Sequence, residues 1–268
     1  MEFFAQLEEV IHTSDIAQRF ALFENLYNSL DSLEFNHAHP IRPITTPIYA
    51  PLCTIAHPTK ISRPKTINTD SSMGAFLHSI AHIEYSAIDL ALDATYRFRN
   101  LPKEFYLNWL EVAKEEIEHF STLRGLLQRS GYEYGDFVVH SNLFEAMKAT
   151  PIFADRMALV HRGMEAGGLD ANPFVYQKVF SSTHPLRDEI LKALEIILRD
   201  EITHVSKGNK WWRFSQDSRS FKEILALYHY TLPKVLNVEA RLKCGFSEQE
   251  IEELKQDCFL KKMNVGLC

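Results

Sequence analysis

The chain has 268 residues, 46% hydrophobic and 24% charged, enough for one large globular domain or one domain with substantial extensions. Its net charge of -6 and sequence pI near 6.1 exclude general long-range attraction to nucleic acid or anionic membranes. The start, Met1 to Glu9, lacks a basic region and an unbroken apolar run, so no secretory signal is expected. The most apolar long stretch, 75–98, is interrupted by His78, His82, Glu84, Asp89 and Asp93, which makes it a poor membrane span. A cytoplasmic protein with no membrane partner is the expectation. Cys53, Cys244, Cys258 and Cys268 are widely spaced with no CxxC pair, a pattern that predicts free thiols.

Residues 1–30 read as one or two short amphipathic helices, with Phe3, Phe4, Leu7, Val10 and Ile11 at helical intervals. From about 36 to 70 the prolines Pro40, Pro43, Pro47, Pro51, Pro58 and Pro64 forbid a continuous helix, and an extended path over the surface is predicted. Four long helical segments follow: about 72–99, about 103–129 after the Asn100-Leu101-Pro102 break, about 151–168 ending at Gly167-Gly168, and about 186–214. Gly131 to His140 reads as non-helical, and 172–181 as a short helix opened by Asn172-Pro173. The tail predicts helices near 218–229, 232–243 and 247–262, the last with Ser247 and Glu250 as a capping box. Three parts are expected: an N-terminal helix and proline-rich segment over 1–70, a helical bundle over 71–214, and a C-terminal helical extension over 215–268.

Carboxylate-bridged dimetal bundles take one Glu from each of two helices and a Glu-x-x-His pair from each of two others. Residues three apart share a helix face, so the pair can ligate one ion. Four Glu-x-x-His matches occur, at Glu9–His12, Glu34–His37, Glu116–His119 and Glu201–His204, and some must be decoys. Context selects two. Glu116 has Val112, Ala113 and Phe120 as helical neighbours and Glu201 has Ile197, Leu198 and Val205, so both fall in core-facing stripes where solvated glutamates do not usually sit. The text around them also repeats as acid, Glu, Ile, any residue, His. Glu84 sits among Ile80, Ala81, Ala87 and Ile88, a costly burial without a cation. Glu165 is the best choice in the third segment, although Arg162 makes its face less cleanly apolar. Hairpin geometry agrees, because the midpoint of Glu84 and Glu116 is position 100 and that of Glu165 and Glu201 is 183, both at chain breaks.

The segments Leu77 to Glu84, Glu116 to Phe120, Tyr134 to Phe137, Glu165 to Asp170 and Arg199 to Val205 resemble a ferritin-like family of bacterial proteins catalogued as of unknown function. The proline-rich stretch, Asn237 to Arg241 and Gly245-Phe246 fit the same resemblance, which covers most of the chain. It implies a dimetal bundle with Glu84, Glu116, His119, Glu165, Glu201 and His204 as ligands. It also implies distant kinship with the tRNA hydroxylase that modifies a methylthio-isopentenyl adenosine.

The resulting expectation is an all-α, ferritin-like four-helix bundle with a long crossover and helical extensions at both ends. It would hold two iron ions, with manganese or a mixed iron/manganese pair as alternatives, since oxygen-rich ligation with imidazole suits these ions better than a structural zinc site. The expected activity is O2-dependent oxidation of an organic substrate, a small molecule or a modified tRNA nucleoside. Without a flavin, dinucleotide or cluster motif, electrons would come from an external reductase. Iron oxidation and storage, or a metal-stabilised structural protein, are the alternatives. His161, Asp170 and Asp200 are candidates to support the ligands from behind, with an additional ligand or a pocket residue as the other reading of His161 and helix-terminal or solvated roles as the equal alternative for the two aspartates. His78 and His82 share a face turned away from Glu84 and are read as packing or hydrogen-bonding residues. Lys207 to Arg213 mixes cations with aromatics and could touch RNA, but inward-packed tryptophans at a basic helix end are the favoured reading.

Overall fold

In the computed structural model, residues 2–61 and 63–265 are described, with backbone alone for 257–265. The chain is all-α, consistent with a helical-bundle fold. Among the described residues the only strand-like features are two isolated parallel bridges, Glu2 to Glu34 and Ile55 to Val139. Helices run α1 (Phe3–His12), α2 (Ile16–Asn28), α3 (Asp70–Arg97), α4 (Lys103–Arg129), α5 (Asn142–Ala149) and α6 (Phe153–Asp155). A π-helical segment (Arg156–Met164) leads into α7 (Glu165–Phe180), followed by α8 (Arg187–Phe214), α9 (Phe221–Leu227), α10 (Val238–Lys243) and α11 (Glu248–Val265). No helix among the described residues is long and apolar enough to cross a membrane.

Two compact units divide the chain. One comprises 1–146 with the short piece 183–186, the other 147–182 with 187–268.

In the first unit α3 and α4 form a helical hairpin. The chain reverses at Asn100, whose φ of 58° is a left-handed conformation that asparagine tolerates, and restarts from Pro102, whose missing N–H costs nothing at a helix start. Thr69 opens α3 through a capping box with Ser72. Among its described residues the proline-rich segment before α3 contains no α-helix, only a 3-10 turn at Pro58–Lys60. It is nonetheless bonded down, with Ala56 N–H donating to Val139 O (2.8 Å) and Val139 N–H to Thr54 O (2.9 Å). Tyr49, Cys53 and Ile67 are buried along it.

In the second unit the π segment and α7 form one arm of a hairpin and α8 the other. The predicted stop at Gly167-Gly168 does not occur, since α7 runs through both glycines and through Pro173. Proline cannot donate to the carbonyl four residues back, here Leu169. Asn237 Nδ2 donates to that carbonyl instead (3.2 Å), so the helix continues without an orphaned acceptor. Ala166 and Leu169 also keep the helix face buried, joining a cluster with Val205, Phe221, Ile224, Ala240, Phe246 and Ile251. Ser247 and Glu250 form the predicted capping box of α11. The predicted helix over 232–243 is shorter, beginning at Val238 after Asn237 caps Ala240 N–H. α5 was not anticipated.

Cys53 and Cys244 are buried, unbridged thiols; the Cys258 side chain and Cys268 lie outside the described residues.

Asn237 thus serves two helices. Asn237→Ala is expected to lower stability by about 1–2 kcal/mol, read as a lower thermal midpoint. Asn237→Ser, which keeps a capping oxygen and loses the bond to Leu169, should fall between that variant and wild type.

Candidate metal centre

Each hairpin carries a glutamate–histidine cluster. In the first, α3 presents Glu84 and α4 presents Glu116 and His119, all buried. His119 Nδ1 lies 3.2 Å from Glu84 Oε2 and 3.5 Å from Glu116 Oε2. One ligand-type atom from each of the three lies within 4.8 Å of the others. Of the neighbours that the sequence pattern placed there, Ala81 and Ile88 beside Glu84 and Val112, Ala113 and Phe120 beside Glu116 are buried, whereas Ile80 and Ala87 are half-buried.

Electrostatics show what this proximity costs. Burial, reinforced by the neighbouring Glu116 carboxylate, pushes the Glu84 carboxyl up to about 7 against the opposing pull of His119. Burial alone would lower the His119 imidazole, but hydrogen bonding and attraction to Glu116 and Glu84 outweigh it and raise the group to about 11.

In the second hairpin the π segment presents His161, α7 opens on Glu165, and α8 presents Glu201 and His204. His161 Nδ1 is 3.0 Å from Glu165 Oε1, and His204 Nδ1 is 3.6 Å from Glu201 Oε1. Both histidines are fully buried, whereas the Glu165 and Glu201 side chains are 10% and 16% exposed. Burial drives the His161 imidazole well below its usual range, with Arg156 and His204 acting in the same direction. His161 is therefore neutral, and its Nδ1 carries the hydrogen that Glu165 accepts.

Arg162, which blurred the Glu165 face in sequence, does not reach solvent. Its guanidinium lies 4.0 Å from the Phe246 ring centroid, 4.2 Å from Phe221 and 4.7 Å from Trp212, with Glu250 at 2.7 Å. Aromatic faces and one carboxylate make this buried cation tolerable. Within Lys207 to Arg213, Trp211 is buried and Trp212 packs on the second unit's core, as the inward-packing reading predicts.

The remaining candidates separate. Asp170 does not support a histidine: its oxygens accept from Arg241 Nε (2.9 Å), Arg241 Nη2 (2.6 Å) and Asn237 N–H (2.7 Å), in a fully buried ion pair that anchors α10. A carboxylate buried against a guanidinium is satisfied there and has little left to offer elsewhere. Asp200 lies 2.8 Å from the neighbouring Arg199. The decoy glutamates Glu9 and Glu34 are exposed. His82 Nε2 donates to His140 O (2.8 Å), which leaves Nδ1 to accept from Tyr134 O–H (3.0 Å). His78 Nε2 accepts from Gly135 N–H (2.9 Å) and its ring stacks on Tyr134. Both histidines have structural partners, as expected. The π segment was the feature that sequence periodicity missed.

An all-α chain with buried glutamate–histidine clusters on two helical hairpins is the class that fold and site define. The chain belongs to the family described as "Protein of unknown function (DUF455)", whose profile matches residues 12–252. It is 35% identical over 270 residues to an uncharacterised protein of Haemophilus influenzae, covering 94% of this chain and 93% of that one. No solved structure matches the chain.

Burial lowers His78 to about 4, partly countered by Asp136. A histidine whose folded pKa lies below its unfolded value of about 6.5 stabilises the fold above that value and loses this contribution as pH falls toward 4. His78→Gln, which can still accept from Gly135 N–H, should show a shallower loss of stability between pH 6.5 and 4. Denaturant titrations across that window measure the difference.

Proposed function

We propose that the two clusters combine into one ferritin-like dinuclear metal centre, with Glu84, Glu116, His119, Glu165, Glu201 and His204 as ligands. Iron is the proposed metal and O2-dependent oxidation of an organic substrate the proposed reaction. The observation that carries this reading is the convergence of Glu84, Glu116 and His119 in a buried setting. With both carboxylates ionised the cluster carries net negative charge even when the imidazole is protonated, which is part of why the Glu84 carboxyl is raised, and a divalent ion would offset that charge. The second hairpin repeats the pattern, with Glu165 alone and Glu201 three residues before His204. Carboxylate-rich donors with imidazole match iron or manganese.

When bound, such an ion pair supplies Lewis acidity and the redox equivalents that couple O2 reduction to substrate oxidation. The chain's own part is to hold and shield. The glutamates anchor the ions, while Ala81, Ile88, Val112, Ala113 and Phe120 keep water from the buried carboxylates of the first hairpin. His161 holds one oxygen of Glu165. Electrons are assigned to an external reductase because the sequence carries no flavin, dinucleotide or cluster motif. The substrate is assigned to small molecules or modified tRNA nucleosides, the latter from the kinship that the sequence resemblance implies.

Loading the reduced full-length protein with Fe2+ and following O2 uptake tests the reading. Wild type should bind two ions per chain and consume O2, and Glu84→Ala and His204→Ala should each lower iron content and slow O2 consumption by about tenfold or more. Full iron loading in both variants would contradict the ligand assignment. Many irons per chain in a large hollow oligomer would favour storage instead, and loading without oxidation by any reductant would favour a structural role.

A further inference from the structure

Glu165 is carried at a helical irregularity. Its backbone N–H bonds to Val160 O, five residues back, where an α-helix would use the His161 carbonyl. His161, fully buried, turns its ring toward the Glu165 carboxylate with Nδ1 at 3.0 Å from Oε1. Behind the π turn lies α8 at Gly208, one turn beyond His204. A β-carbon on Gly208 would sit 2.3 Å from His161 O, 2.5 Å from His161 C and 3.0 Å from Arg162 N. All three are backbone atoms, so no side-chain rotation could make room, and only glycine lets α8 approach the π turn this closely.

We propose that His161 is a positioning residue for Glu165, and that the backbone contact at Gly208 sets where the π turn carries them both. The proposal rests on the dinuclear reading, in which Glu165 is a ligand. An imidazole Nδ1–H held 3.0 Å from Oε1 fixes one carboxylate oxygen, and the carboxylate presents its second oxygen to the proposed ion. The π turn supplies the backbone register, and Gly208 locks that register against the helix bearing Glu201 and His204. His161 therefore acts through Glu165 and need not touch a metal ion.

The test is Mn2+ titration of the full-length protein by calorimetry, with thermal melts as a folding control. Wild type should take up two ions. His161→Ala should weaken one site by about 10- to 100-fold, and His161→Gln, which can still donate to Glu165, should recover most of that loss. Glu165→Ala combined with His161→Ala should bind no worse than Glu165→Ala alone. Gly208→Ala, which removes no polar group, should weaken the same site. Two unaltered Mn2+ sites in His161→Ala, or losses that add in full with Glu165→Ala, would overturn the positioning role while leaving the dinuclear reading intact. A wild-type chain that takes up no Mn2+ would overturn the dinuclear reading and this inference with it.

Discussion

Two carboxylates brought together away from water repel each other and lose hydration, and the surroundings must supply positive charge in return. That constraint governs the α3–α4 hairpin. Glu84 and Glu116 share one imidazole, and the strain of the arrangement is visible in a carboxyl raised to about 7 beside a histidine raised to about 11. A cluster under this tension is poorly suited to a purely structural task, for which a hydrophobic set of equal volume would serve as well or better. The proposed divalent ion would supply that positive charge directly.

Charges elsewhere in the protein are handled differently. Arg241 is matched to Asp170 in a two-point pair, Arg162 lies among aromatic rings with Glu250, and Arg19 pairs with Asp89 while donating to Val10 O. Each of these guanidiniums faces a single carboxylate of opposite charge, and each fastens one element to another. The glutamate–histidine clusters instead set carboxylates beside imidazoles.

Much of this was legible in the sequence because helical periodicity and burial are local properties. Glu84 and Glu116 were recognisable as carboxylates in apolar stripes, and the chain breaks at Asn100 and near position 183 marked two hairpins. The third helix was harder to read. Gly167-Gly168 and Pro173 signal termination by their intrinsic preferences, but the carbonyl left over at Pro173 is satisfied by Asn237, 68 residues beyond Leu169. Tertiary contacts of that kind leave no local trace. The π turn escaped for a related reason: it changes which backbone groups pair without altering residue types, and its necessity is expressed at Gly208 on another helix. The pairing of Asp170 with Arg241 was not legible because that partner is equally remote.

The central claim is that six side chains hold two metal ions. Anomalous diffraction from crystals of the metal-loaded protein, collected on both sides of the iron and manganese edges, tests it most directly. The account predicts two anomalous peaks, each ligated by carboxylates and one imidazole from Glu84, Glu116, His119, Glu165, Glu201 and His204. Crystals with no peak at these residues, or with a metal bound elsewhere while they stay engaged only with one another, would contradict it.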